Sequence, residues 1–145
     1  MLKRLMGTSN DVALTMLRLV LGVVFFAHGA QKMLGWFGGY GVHGTVGFLT
    51  HIGLSTPVAY LVICTEFFGG LGLIFGLLTR IAALGIGGEM VGAIFMIHLA
   101  NGFFMNWAGT QKGEGFEYHL LAIAVAGTLL LRGAGAFSLD RTLSK

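Results

Sequence analysis

The sequence predicts an all-α integral membrane protein: a four-helix transmembrane bundle with both termini cytoplasmic and a short interfacial segment between helices 1 and 2. Three observations lead there. First, 55% of the 145 residues are hydrophobic and only 10% are charged, whereas a soluble domain carries about 25% charge. A surface so poor in charge requires lipid as its solvent. Second, four apolar segments stand out, and three of them are long enough to cross a bilayer. Third, the basic residues are unevenly shared. With four spans, the termini and the 79–80 turn lie on one side, which holds Lys3, Arg4, Arg80, Arg132, Arg141 and Lys145, while the other side holds Lys32 and Lys112. The richer side faces the cytoplasm.

The first helix is expected over about residues 12–32, capped by Asp11 or Asn10. Met1-Leu2-Lys3-Arg4 could open a signal peptide, and Ala27-His28-Gly29-Ala30 loosely resembles a cleavage site. Arg18 interrupts the apolar run and three further spans follow, so this is read as an uncleaved helix. The next stretch is too short and too rich in Gly for a span, but could hold an interfacial helix from Val42 to Ile52. Ser55-Thr56-Pro57 opens the second span, over 57–78. Thr79-Arg80 makes a tight turn into the third, over 81–104. The fourth covers 117–131 and is short: it either starts earlier, or the polar outer region dips toward the membrane. Trp36, Tyr40, Trp107 and Tyr118 fall at the outer end, where an aromatic belt is expected. Gly72 with Gly76 and Gly88 with Gly92 have the spacing for close helix packing.

Composition also excludes. The net charge of +3 is small and the basic residues are scattered, unlike the clustered basic face that nucleic acid requires. Cys64 is the one cysteine, so neither an intrachain disulfide nor a CxxC redox pair can form. It reads as a packed small residue rather than a nucleophile, because a thiol in apolar surroundings resists ionisation.

Ionisable residues inside a bilayer are costly and need partners or water. At about 1.5 Å per residue, Arg18 and Glu89 sit at matching depth, with Glu66 somewhat further out. Arg18 could reach either carboxylate, as an ion pair holding the bundle together or as a proton or substrate site. A second, outer layer gathers His28, Lys32, His98, Asn101, Glu117 and His119 from three helices. Glu89 and His98 are nine residues apart, on opposite faces of an ideal helix. They cannot share a centre without local unwinding, so the layers are expected to be distinct. The outer layer admits several chemistries. A His/His/Glu set could bind a transition metal, although no tight His spacing supports one and none is expected. His28 and His98 could ligate a haem, for which other cues are missing. The same groups could hydrogen-bond a quinone head, a small anion or a lipid head group. They could also simply satisfy one another and water. His43 and His51 read as solvated loop residues.

Several of these residues fall in a recognisable pattern. Helix 1 carries R-x3-G-x5-HG-x2-K (Arg18, Gly22, His28, Gly29, Lys32), followed by GWFGGYG. Then come E-x2-GGLGLIFGLLTR from Glu66 to Arg80, H-x2-NGFF from His98 to Phe104, GFEY from Gly115 to Tyr118, and GAGAFSLDR near the end. Across nearly its whole length the chain resembles the DoxX family of bacterial membrane proteins. The resemblance implies a four-helix protein of the bacterial inner membrane. It favours Arg18, His28, Lys32, Glu66, His98, Asn101 and Glu117, while Glu89 is less typical of the pattern. Members have been linked to quinone-connected sulfur oxidation, to resistance against quinones and catechols, and to membrane complexes with oxidative-stress enzymes. The expected role is a small membrane subunit of a redox or oxidative-stress system that meets a quinone or similar lipophilic ligand in an outward-facing polar pocket. A scaffold that recruits a partner protein is one rival reading, and a small proton-coupled transporter, working as a homo-oligomer, is the other. No catalytic residue is assigned.

Overall fold

The structure, a computed structural model, describes residues 5–144; Lys3, Arg4 and Lys145, which enter the charge count, and the start of the supposed signal sequence lie outside them. The described residues form helices and turns, with no strand among them. Helix α1 is Val12–Leu34, α2 is Gly41–His51, α3 is Thr56–Phe75, α4 is Thr79–Asn101, α5 is Glu117–Arg132 and α6 is Leu139–Ser144. Three of them, α1, α3 and α4, are long and apolar enough to cross a membrane. With 16 residues, α5 is about 24 Å long, short of the ~30 Å hydrocarbon core.

Helix α1 starts where Asp11 accepts hydrogen bonds from the Ala13 and Leu14 amides, satisfying N–H groups that the first turn leaves free. Helix α3 ends earlier than its apolar pattern predicts. Gly76 takes the left-handed conformation (φ 65°), which glycine adopts without a steric penalty. The turn is therefore Gly76–Leu78, and Thr79 and Arg80 already belong to α4. Leu78 is also left-handed (φ 51°). It is held there by Asp140, whose carboxylate accepts from the Leu78 and Thr79 amides at 2.7 and 2.9 Å. A residue 61 positions away thus caps α4. Asp140→Ala is expected to cost about 1–2 kcal/mol, read as a lower unfolding temperature in detergent, with Asp140→Asn losing less.

The core joins α1, α3, α4 and α5 through Leu21, Phe25, Leu73, Ile86, Ala126 and Leu129. The closest backbone approach is between α1 and α3. A Cβ on Gly29 would run into the Phe67 backbone, and one on Gly70 into that of Phe26. Of the expected glycine pairs, Gly88 and Gly92 play no such part, since a Cβ on either would meet nothing within 4 Å, while one on Gly76 would run into Ser138 and Arg18 rather than into a neighbouring helix backbone.

Both long antiparallel helices α3 and α4 contain one widened π-turn, at Thr65–Gly69 and Ile94–His98. Beyond these turns the helices part. The first half of α3 packs on α1 and α2 rather than on α4, and a cleft opens between the two helices.

Candidate functional site

The cleft deepens into a cavity of about 800 Å³, within the range of small-molecule sites. Its walls are apolar: Val58, Leu61 and Val62 from α3, Leu84 and Met96 from α4, and Phe48 and Leu49 from α2. Leu61 and Leu84 at the mouth are 63% and 60% exposed, so the opening is greasy and lateral. Its floor is polar and brings together His28, Lys32, Glu66, Glu89, His98, Tyr118 and His119.

The Lys32 ammonium and Glu66 carboxylate are 2.5 Å apart. Glu66 is buried. The sequence reading paired Glu66 with Arg18, and the structure does not. Helix side chains lean toward the helix N-terminus. Lys32 therefore reaches back along α1 to the level of Glu66, while Arg18, leaning the same way from a position nearer the start of α1, points away from the cavity. Arg18 instead donates to the carbonyls of Leu73, Ile74, Ala134 and Phe137. It belongs to a knot at the opposite end of the bundle. There the GAGAFSLDR segment folds back on α1, with Ala136 N–H donating to Asp11 O and the Thr15 hydroxyl to Ala136 O.

Glu89 lies in the cavity with Glu66, and both line its floor. His98 lies in the same cavity, so the two polar layers are not separate on α4. The π-turn between Glu89 and His98 is the local unwinding that lets one helix aim both side chains at one space.

Across from α4, the His119 ring lies against the His98 ring, with centroids 4.0 Å apart. His98 Nδ1 lies 2.8 Å from Glu114 O. A carbonyl only accepts, so Nδ1 carries the proton and Nε2 is left with its lone pair. Asn101 and Glu117 stand outside the floor. Asn101 donates to the same Glu114 carbonyl, and Glu117 accepts from the Met105 amide. Both fasten the 102–116 loop over the end of α4.

Tyr118, placed by the sequence in an aromatic belt, faces the cavity instead. Only its adjacency to His119 could have hinted at this, because two successive helix positions are 100° apart and can flank one groove. Three buried polar atoms of the cavity residues have no protein partner: Glu89 Oε2, Tyr118 Oη and His119 Nδ1. Such atoms are uncommon in folded proteins and mark places where water or a ligand binds. Among the described residues no three His, Cys, Asp or Glu side chains are grouped to hold a metal ion. Cys64 is exposed on the outside of α3.

The DoxX family model matches residues 13–99, from α1 into the end of α4. The chain belongs to the DoxX family. It is 32% identical over 135 residues to the Bacillus subtilis protein named "Putative oxidoreductase CatD", covering 93% of this chain and 90% of that one. It is 30% identical over 136 residues to the Escherichia coli inner membrane protein YqjF, covering 94% and 95%. It is 32% identical over 151 residues to the Mycobacterium tuberculosis membrane protein Rv3486, covering 98% and 88%. No solved structure matches significantly. These relatives and the three spanning helices make this DoxX chain a multi-pass membrane protein.

Proposed function

We propose that this DoxX protein binds the head of a quinone, or of a similar lipophilic redox compound, in the α3–α4 cleft as a small subunit of a membrane redox or oxidative-stress system. The observation that carries this reading is the cleft itself: an apolar mouth turned sideways, leading to a floor with three unpartnered polar atoms. A lipophilic tail would lie along Leu61, Leu84 and Met96 while a carbonyl-bearing head meets Lys32, Tyr118 and His119. The oxidoreductase name carried by the Bacillus relative agrees with a redox role.

In this reading α5 is the fourth span, packed along α4 and α1, and the loops around Gly35–Tyr40 and 102–116 face outward. The six basic residues against two support cytoplasmic termini, and the Escherichia coli relative supports an inner-membrane location. Purified protein titrated with a short-chain quinone is expected to bind it saturably, and His119→Phe to weaken that binding at least tenfold. Protein that neither retains quinone on extraction nor binds it when added refutes the proposal.

The scaffold reading has one observation of its own. Tyr40 and Trp107 are 85% and 87% exposed at the loop end, beside exposed Trp36 and Phe37. Recovery of a stoichiometric partner from native membranes, lost on Trp107→Ala with quinone binding intact, would favour it.

A further inference from the structure

The floor of the cavity holds more carboxylate than its one ammonium can neutralise. Lys32 is bound to Glu66, and Glu89 lines the same floor with its Oε2 buried and without a protein partner. Two carboxylates on one enclosed floor with a single ammonium repel unless a proton neutralises one of them. Glu89 Oε2 opens on the same cavity as Tyr118 Oη and His119 Nδ1, the other unpartnered atoms.

We infer that Glu66 and Glu89 share a single proton, and that this proton exchanges with solvent at the loop end of the bundle through His119 and His98. The inference deepens the reading of the cleft as a redox-ligand site, since it names the groups that would supply a proton there.

The route follows from what is closed and what is open. Toward the opposite end the floor is sealed by Leu73, Ile86 and Leu129, each 0% exposed, and then by the Arg18 knot. No titratable group of that knot lines the cavity. Toward the loop end the next side chains after Glu89 are Tyr118, His119 and His98, with exposed Glu114 beyond. His98 keeps the Nε2 lone pair free while Nδ1 is tied to Glu114 O. It can therefore take a proton from water on Nε2 and release that same proton toward His119 Nδ1, with cavity water bridging the gap. The resident proton first leaves Glu89 Oε2 for solvent by these steps reversed, and His119 then returns to neutral when the vacated Oε2 takes the incoming proton. No electron moves and no bond other than N–H and O–H is made or broken. The remaining groups facing this path are His28 and Lys32 on α1; Lys32 is held by Glu66.

The test is infrared spectroscopy of the purified full chain without ligand. A protonated buried carboxylic acid gives a carbonyl stretch that moves on exchange into D₂O. The wild type is expected to show this band at neutral pH. Glu89→Gln is expected to remove it, because the amide can donate to Glu66 and leaves that carboxylate ionised against Lys32. His119→Phe keeps a ring against His98 but removes the nitrogens; it should keep the band and slow its deuterium shift at least tenfold. Unchanged unfolding temperatures show that the variants are folded, and Gly127→Leu on the far side of α5 serves as a neutral comparison. A wild type without the band, or a Glu89→Gln protein that retains it, overturns the shared proton. Exchange as fast in His119→Phe as in the wild type overturns the route. Because no quinone is present, these results stand or fall separately from quinone binding.

Discussion

Arg18→Met is expected to leave little folded protein in the membrane. Arg18 is 1% exposed and its guanidinium serves four carbonyls, those of Leu73, Ile74, Ala134 and Phe137. Two of these belong to the last turn of α3, where the ending helix leaves carbonyls short of partners; Leu73 O also accepts from the Gly76 amide at 3.2 Å. The bonds to Leu73 and Ala134 are buried and those to Ile74 and Phe137 partly so, so water cannot replace all of the lost donors. Methionine replaces the apolar stem and none of the donors. Each stranded acceptor costs about 1–3 kcal/mol, so the loss is on the order of 5 kcal/mol, comparable to the whole stability of a small domain. Arg18→Lys keeps the charge but loses the planar fork of donors, and should fall between. Membrane yield and unfolding temperature in detergent should rank Arg, Lys, Met. Adding Glu66→Gln to Arg18→Met should give no rescue, because Glu66 is the partner of Lys32. Rescue would mean that Arg18 and Glu66 are paired after all.

Gly88→Leu should do the opposite: leave the fold alone and remove the ligand site. Gly88 lines the cavity, and a Cβ built on it meets no atom within 4 Å. Replacing a helical glycine also gains about 1 kcal/mol of helix propensity, so the unfolding temperature should hold or rise slightly. The leucine side chain would project into the space assigned to the quinone head, and affinity for a short-chain quinone should drop at least tenfold. Gly127 provides the control. It too has open space around its Cβ position, but it is on α5 away from the cavity, so Gly127→Leu should bind normally. Normal binding by Gly88→Leu would show that the cleft is not where the ligand sits.

The spanning character of α1, α3 and α4 was legible because it is a property of composition and length, and both are local. The site was legible only in part, for identifiable reasons. Depth along a helix places a Cα, but Arg18 and Lys32 have long side chains that both lean toward the start of α1. Counting residues therefore joined Glu66 to the wrong cation. The separation of Glu89 from His98 assumed a uniform 100° step, and the π-turn at Ile94–His98 breaks that step. Asp140 capping α4 and Arg18 capping α3 are contacts across 61 and 55 residues or more, which no local pattern encodes. Asn101 and Glu117 drew attention as polar residues near a membrane surface, and they fasten a loop instead. Tyr118 was assigned to the aromatic belt and not to the site because an aromatic residue at that depth has an ordinary explanation.

The widened turns also bear on how such a chain can change in length. Inserting or deleting one residue in a regular helix rotates everything beyond it by 100°, turning a lipid-facing side chain into the bundle. A π-turn already accommodates one residue more than the α spiral requires. Loss of that residue at Thr65–Gly69 or Ile94–His98 would restore a plain helix, and the buried faces of Leu73 and Ile86 would need only to re-register. Single-residue length differences inside a span, ruinous elsewhere in α3 and α4, are therefore structurally affordable at these two places. The toll would fall on the direction in which Glu66 and His98 point.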